Sequence, residues 1–294
     1  MKKLLILILL LSSLMCTGCA KDNQSYDVVA TTLPVYDFTS LLCEGTDLTV
    51  GRLVTENISC LHDYTLQVSQ MRMLEKAQVV VLSGLGLEDF LQDALTGSYL
   101  ILDASVGVHT HAGNHHHESD PLADHGHSHE TDPHIWLSPE NAIIMADNLA
   151  RGLTENYPEY KDTISQNLLD VRQKIQQIQD YADEQLAELN CRELITFHDG
   201  FTYFAESFGL TILEAVEEES GSEASAAEII HLAELIRNHN IPAVFTETNG
   251  SDACAGIIHN ETGAAIYTLD MAMSGDSYFK AMYHNIDIIK EALG

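Results

Sequence analysis

Short apolar runs alternate along the chain with longer segments in which apolar residues recur every three or four positions. In the first half, the apolar runs predict strands at residues 27–35, 47–54, 78–83 and 99–103, the last two as buried strands. The periodic segments between them predict helices at residues 65–77 and 87–95. This alternation favours a parallel sheet with helices on both faces, which is the architecture of an α/β protein.

The second half repeats this alternation after two helical segments. Ser138 followed by Pro139 is typical of a helix start and predicts a helix through about residue 152. Residues 162–189 predict the longest helix, roughly 40 Å long, because neither Gly nor Pro interrupts them. Strands are then predicted at 194–198, 210–216, 243–248 and 265–270, and helices at 225–238 (with a capping box) and 278–293.

These elements predict an α/β fold with two lobes, each a parallel sheet with flanking helices, joined by one long rigid helix. The expected bounds are residues 27–160 for the N-terminal lobe, 161–190 for the linker helix and 191–294 for the C-terminal lobe. Two such lobes leave a cleft between them. Ligands of open parallel sheets bind at the carboxyl ends of the strands, so the residues there are the first candidates for a site.

The start of the chain predicts a secretory signal. Two lysines precede an apolar run at residues 4–11, which is too short for a stable membrane span, and small residues lead to Cys19. Gly18 followed by Cys19 resembles a bacterial lipobox. We therefore expect a lipoprotein signal peptide at 1–18, lipidation at Cys19 and a lipidated tether at 19–26. The protein is expected outside the cytoplasm, anchored to the cell membrane.

The charge and the cysteines exclude two classes of function. The formal net charge of −30 excludes nucleic acid as a partner, because phosphate binding needs clustered Lys and Arg. Four cysteines remain beyond Cys19, without Cys-x-x-Cys spacing, so a zinc-thiolate site is not expected. An oxidising compartment allows one disulfide among them, and the pairing stays open: Cys43, Cys60, Cys191 and Cys254.

Eight of the fifteen histidines lie in a polar stretch of 21 residues, which is the strongest chemical signal in the chain. Several imidazoles among carboxylates suit zinc, copper or nickel. We predict that this His-rich loop (residues 109–130) is an auxiliary, weak metal-binding segment through His109, His111, His115, His116, His117, His125, His127 and His129.

A second set of ligands lies at the predicted strand ends. His62 and His134 belong to the N-terminal lobe, and His198 and Asp270 to the C-terminal lobe. Three imidazoles and one carboxylate make a four-coordinate zinc site, so we predict that these four side chains bind the metal in the cleft. His62 and His198 are 136 residues apart, as are His134 and Asp270, which hints at two related halves.

Several stretches of the sequence together resemble a known family. They are Leu61-His62-Asp63-Tyr64-Thr65-Leu66, Gly84-Leu85-Gly86-Leu87-Glu88, Asp132-Pro133-His134-Ile135-Trp136-Leu137-Ser138-Pro139, Phe197-His198-Asp199-Gly200-Phe201 with Tyr203-Phe204-Ala205, and Phe245-Thr246-Glu247. Over nearly its whole length the chain resembles the zinc- and manganese-binding lipoproteins of bacterial ABC transporters. The resemblance implies two lobes bridged by a long helix, with one metal between them. It carries the ligands onto His62, His134, His198 and Asp270, with a His-rich loop before His134.

Two positions leave alternatives open. A different carboxylate or water serves as fourth ligand in some members of the family, and Glu247 is then the spare candidate, although we expect it to orient a ligand imidazole instead. Cys60 departs from the family pattern of a small residue or Pro before His62. A disulfide or a buried thiol is a commoner role for such a cysteine than an extra ligand.

The predicted function is capture of Zn²⁺ outside the membrane and its delivery to the membrane permease of an ABC transporter, which works with a cytoplasmic ATPase. A monomer without enzyme activity is expected. A third imidazole at His198 and the His-rich loop favour zinc over manganese. The alternatives are a manganese-binding member of the same family and, with less support, a zinc metallohydrolase, for which no paired His-Glu-x-x-His motif is present. Cell adhesion is a secondary role that the resemblance implies.

Overall fold

Two parallel four-stranded sheets form the framework of the protein. The computed structural model describes residues 25–56, 58, 61, 64–111, 131–216, 225–248 and 253–294. The first sheet has the order β2-β1-β3-β4, with strands Val28–Ala30 (β1), Val50–Arg52 (β2), Val79–Leu82 (β3) and Leu100–Asp103 (β4). The second has the order β6-β5-β7-β8, with strands Glu193–Thr196 (β5), Thr211–Ala215 (β6), Ala243–Glu247 (β7) and Ala265–Leu269 (β8). All pairings are parallel, which confirms the predicted fold class.

Helices flank both sheets. Their bounds are Leu33–Leu42 (α1), Val68–Lys76 (α2), Pro139–Asn156 (α3), Lys161–Gln185 (α4), Thr202–Ser207 (α5), Ala226–His239 (α6), Ala253–Thr262 (α7) and Tyr278–Leu293 (α8). Short 3₁₀ helices lie at Asp89–Leu91, Ile135–Leu137 and Pro158–Tyr160. The predicted capping of α3 by Ser138 and the capping box of α6 at Ser225 and Glu228 are both present.

The two sheets have the same strand order, so the two halves of the chain share one topology. Equivalent strands do not lie 136 residues apart, however: β3 begins at residue 79 and β7 at residue 243, and β4 and β8 begin at residues 100 and 265. The halves therefore share a topology, but the equal spacing of the predicted ligands does not reflect it, because equivalent strands are separated by a different number of residues.

Three predictions for the first half are wrong. The strand predicted at 27–35 ends at Ala30, because Thr32 in extended conformation and Pro34 in the first turn begin helix α1. The helix predicted at 87–95 is reduced to one 3₁₀ turn at Asp89–Leu91. Strand β4 lies at the sheet edge instead of being buried, with Leu100 39% and Ile101 43% exposed.

Residues 84–88 turn the chain back toward the sheet, which explains the missing helix. Three successive residues have positive φ: Gly84 at 92°, Leu85 at 53° and Gly86 at 80°. The buried Glu88 carboxylate then accepts hydrogen bonds from the backbone N–H of Ser83 (2.7 Å) and Gly84 (3.0 Å). Burial raises the pKa of Glu88 to about 7, although the hydrogen bonds from Ser83 and Gly84 act to lower it. The turn thus fixes the carboxyl end of β3.

One continuous apolar core joins the two lobes. The linker helix α4 contributes Ile164, Val171, Ile175, Ile178 and Ala182, spaced for one face of the helix. The same cluster contains Val28 and Phe38 on one side and Phe245 and Met282 on the other. The lobes are therefore packed onto each other and onto the linker, which limits their relative movement.

Two absences hold for the described ranges. No helix in them is long and apolar enough to cross a membrane. No disulfide joins the three cysteines within those ranges, which are Cys43, Cys191 and Cys254. Burial raises the pKa of the Cys43 thiol to about 12. Cys60, the fourth, lies outside the described residues.

Candidate metal site

His134 lies on a short segment that leads from the His-rich loop into helix α3. It is the residue before the 3₁₀ turn Ile135–Leu137, which Ser138 follows as the N-cap of α3. Its side chain is buried, with 5% of the residue exposed. Asp132 Oδ1 accepts from both the backbone N–H (2.9 Å) and the ring Nδ1 (2.7 Å) of His134. The ring is therefore fixed with Nε2 directed away from Asp132.

His198 follows strand β5 by two residues, at the carboxyl edge of the second sheet, as predicted from its strand-end position. It is 3% exposed. The strand is continued by a bond from Phe197 N to the Phe245 carbonyl (2.9 Å), which brings the end of β5 beside the end of β7. Glu247 is the last residue of β7, and its Oε2 atom lies 3.8 Å from Nδ1 of His198. A buried carboxylate thus lies behind each imidazole.

The structure brings His134 and His198 together across the two lobes. Their Nε2 atoms are 3.4 Å apart, and the ring planes are nearly perpendicular. The hydrogen bond from Nδ1 of His134 to Asp132 leaves Nε2 of that ring as the donor atom for a metal, and the Glu247 carboxylate lies on the Nδ1 side of His198. Two facing, buried imidazoles with this orientation are suited to binding one borderline cation between them.

Asp270 is the first residue after strand β8, again at the carboxyl edge. Its Oδ1 accepts from the backbone N–H of Ala272 (2.8 Å), and its own backbone is held at both N–H and C=O by the Asn285 side chain. Burial raises the pKa of the Asp270 carboxyl, while the Ala272 hydrogen bond and His284 lower it. The local fold holds this carboxylate in a turn. Its role as fourth ligand stays a prediction.

Several predicted site residues fall beyond the described ranges. His62 and Cys60 lie outside them, as do Cys19 and six of the auxiliary histidines: His115, His116, His117, His125, His127 and His129. Over the described ranges, no three His, Cys, Asp or Glu side chains are grouped closely enough to hold a metal ion. Of the three predicted ligands in these ranges, His134 and His198 are brought together, and Asp270 is not grouped with them closely enough to complete a metal site.

The first two auxiliary histidines lie at the base of the His-rich loop and contact both lobes. His109 exchanges two backbone hydrogen bonds of 2.9 Å with the Asn141 side chain on α3. His111 Nε2 is 2.7 Å from Oε2 of Glu206 on α5, and its ring packs on Tyr203. The carbonyl of His111 accepts from the backbone N–H of Asp132 (3.2 Å). Residues 111 and 132, on either side of segment 112–130, are thus hydrogen-bonded to each other.

Two residues beside the imidazole pair are not singled out by the sequence reasoning. Asp132 enters it only as part of a motif, although a carboxylate two residues before a ligand histidine is a usable signal for a ring partner. Gly200 lies against the His198 ring so closely that a Cβ there would be 2.9 Å from Nε2. No local pattern distinguishes such a glycine from one in a turn.

Comparison with known proteins identifies the family. A sequence model of the family described as zinc-uptake complex component A, periplasmic (ZnuA), matches residues 28–292. The chain belongs to the ZnuA family. Members of this family are metal-binding proteins of uptake systems, which agrees with the facing imidazole pair.

Three individual proteins show the range of similarity. The zinc-binding lipoprotein AdcA of Streptococcus pneumoniae is 26% identical over 99% of this chain, which spans only 61% of the length of AdcA. A crystal structure of a ZnuA deletion mutant with bound zinc is 26% identical, covers 92% of this chain and 99% of its own, and has a TM-score of 0.78. The manganese-bound solute-binding protein FpvC of Pseudomonas aeruginosa (20% identity, TM-score 0.77, covering 92% of this chain and 98% of FpvC) shares the fold.

Proposed function

We propose that this ZnuA-family protein captures Zn²⁺ outside the cytoplasmic membrane and delivers it to the permease of an ABC transporter. His62, His134, His198 and Asp270 bind the ion, Glu247 orients His198, and Cys19 carries the lipid that anchors the chain to the membrane. The transporter comprises that permease and a cytoplasmic ATPase. The support comes from the family and, above all, from the geometry of the imidazole pair.

The distance between the two imidazoles carries the proposal. Zinc–nitrogen bonds of about 2.0–2.1 Å at a tetrahedral angle place two ligand nitrogens about 3.3–3.4 Å apart. The Nε2 atoms of His134 and His198 are 3.4 Å apart. Two buried imidazoles already at this spacing need little rearrangement to bind zinc. Nδ1 of His134 is hydrogen-bonded to Asp132 (2.7 Å), and the Glu247 carboxylate lies 3.8 Å from Nδ1 of His198.

A direct binding measurement tests the metal. We expect the chain lacking residues 1–18 to bind one Zn²⁺ tightly in a competition titration against a chromophoric chelator. Mn²⁺ should bind more weakly at the same pH, since imidazole ligands favour zinc in the order of divalent stabilities. Tighter binding of Mn²⁺ would assign the protein to the manganese-binding alternative. Turnover of a hydrolase substrate panel that depends on zinc would replace transport by catalysis.

Delivery is tested in cells. Deletion of the gene should lower zinc uptake at limiting zinc, and the wild-type gene should restore it. The same gene with Cys19→Ala should restore it less well if lipidation keeps the protein beside its permease. Full uptake without the protein would contradict its proposed role in import.

Asp132→Asn is expected to weaken zinc binding by roughly 10-fold, because partners behind a ligand histidine typically contribute 10- to 100-fold in affinity. The asparagine keeps an oxygen for Nδ1 of His134 but loses the negative charge that makes Nε2 a better donor. Asp147→Asn, on the exposed side of α3 next to Arg172, serves as the control for loss of one charge. Equal affinities of the two variants would show that Asp132 does not act on the metal.

Removal of residues 112–130 is expected to leave one tightly bound zinc and to abolish only weaker binding. The deletion can be closed by a short Gly-Ser link, because the His111 carbonyl and the Asp132 N–H are hydrogen-bonded at 3.2 Å. A matched variant with serine at the six histidines of this segment separates loss of ligands from loss of chain length. Stoichiometry measured by titration decides: loss of the tight site in both variants would place a main ligand in the loop.

A further inference from the structure

Residues 132–138 precede the linker helix in the sequence, yet their polar groups are bound by the C-terminal lobe. Tyr203, on α5, donates its hydroxyl to the carbonyl of Asp132 (2.8 Å). The indole Nε1–H of Trp136 donates to the carbonyl of Met271 (2.8 Å), and the hydroxyl of Tyr278 donates to the carbonyl of Trp136 (2.9 Å). The segment that carries His134 is thus fastened to the opposite lobe at three points.

We propose that Trp136 is a positioning residue for the metal, which sets the place of His134 relative to His198 by holding segment 132–138 on the C-terminal lobe. This rests on the proposed function, since it assigns a role in zinc binding to a residue that does not touch the ion. The two imidazoles then belong to one preassembled unit, although they come from different halves of the chain.

The surroundings of Trp136 support this role. The residue is fully buried, and its ring lies edge-on to the His134 ring, with centroids 5.5 Å apart. Its hydrogen-bond acceptor, Met271, directly follows Asp270, and the Met271 methyl group and the His198 ring both border the space at Gly200. One indole therefore contacts the ring of one predicted ligand and the backbone next to another.

Loss of the hydrogen bond between the Trp136 indole and the Met271 carbonyl would destabilise the segment that carries His134. A buried carbonyl whose donor is removed is left without a hydrogen bond, which destabilises the folded chain, and here both the indole and Met271 are buried away from solvent. The alternative to keeping the bond is movement of the segment, which would change the spacing of the two Nε2 atoms.

Conservative variants test the proposal. Trp136→Phe removes the N–H and keeps an aromatic ring, and Tyr278→Phe removes the hydroxyl that holds the Trp136 carbonyl. Tyr181→Phe is the control, because it removes one interhelical hydroxyl bond, to Asp287, that is remote in sequence from segment 132–138. Zinc affinity, zinc dissociation rate under excess chelator, and the melting temperature of the metal-free protein are measured for each.

Trp136→Phe is expected to bind zinc roughly 10-fold more weakly and to release it faster, in the range typical of residues that orient metal ligands. Tyr278→Phe should shift both quantities in the same direction, and Tyr181→Phe should match the wild type. A Trp136→Phe protein that melts lower but binds and releases zinc like the wild type would overturn the proposal, since that is the pattern of a purely structural residue. A wild type that does not bind zinc would instead overturn the proposed function.

A second measurement needs no variant at Trp136. The chain has one tryptophan, so its nuclear magnetic resonance spectrum contains one indole N–H signal. We expect slow hydrogen exchange of this proton in the metal-free protein and a shift of the signal that saturates at one equivalent of zinc. A signal that exchanges rapidly, or that stays in place while zinc binds, would contradict the proposed tie between Trp136 and the site.

Discussion

His198→Ala is expected to weaken zinc binding by roughly 100-fold or more. Apparent binding free energies of four-ligand zinc sites are about 10–16 kcal/mol, so one ligand accounts for on the order of 3 kcal/mol, which is about 100-fold in affinity. His198 supplies one of the two facing Nε2 atoms, and water that replaces it is a weaker ligand in a site of this burial. The measurement is a chelator competition at fixed pH.

His231→Ala is the matched control for this variant. His231 lies on α6 beside Glu214, with 64% of its side chain exposed, as expected for a histidine on a solvated helix face. Its replacement should leave zinc affinity and stoichiometry unchanged. If His198→Ala retained wild-type affinity, the facing pair would not be the binding site and the proposed function would lose its main support.

The part of the candidate site that can be predicted from sequence is the part set by strand ends. His198 and Asp270 follow β5 and β8, whose apolar runs are recognisable without knowledge of any contact. Parallel strands share one carboxyl edge, so a short-range pattern is enough to bring these residues to the same side of the second sheet. His134 is likewise located by the N-cap and proline that begin α3.

The contacts that hold the pair in place lie beyond such reasoning. Trp136 and Met271 are 135 residues apart, and Tyr203 and Asp132 are 71 apart. The sequence around one partner does not indicate which residue it will bond to, because these hydrogen bonds depend on how the two lobes pack. Helix α1 escapes prediction because its first residues continue the apolar run predicted as a strand over 27–35. Helix α5 has only six residues, too few for its periodicity to stand out.

Gly200→Ala is expected to weaken zinc binding by roughly 30- to 100-fold and to destabilise the metal-free protein by about 1–3 kcal/mol, because the added Cβ overpacks a buried site. A Cβ at this position would lie 2.7 Å from Cδ2 and 2.9 Å from Nε2 of His198, and 2.7 Å from the Met271 methyl carbon. The methionine end can move aside, but the imidazole is confined between the end of β5 and Glu247. The ring must therefore shift by some tenths of an ångström, more than the roughly 0.2 Å that zinc–ligand distances tolerate, and a loss of about 2–3 kcal/mol follows.

Gly256→Ala separates this steric effect from the loss of a glycine as such. Gly256 lies in helix α7, and a Cβ added there would have no neighbouring atom within 4 Å, so alanine should fit and favour the helix. Gly200 is not among the residues with positive φ, and its backbone accepts alanine equally well. Both variants should fold, Gly200→Ala with the lower melting temperature, and only Gly200→Ala should lose zinc affinity in the chelator competition. Equal zinc affinity of both would mean that the imidazole pair has room to adjust, which is incompatible with a site whose spacing is fixed before the metal arrives.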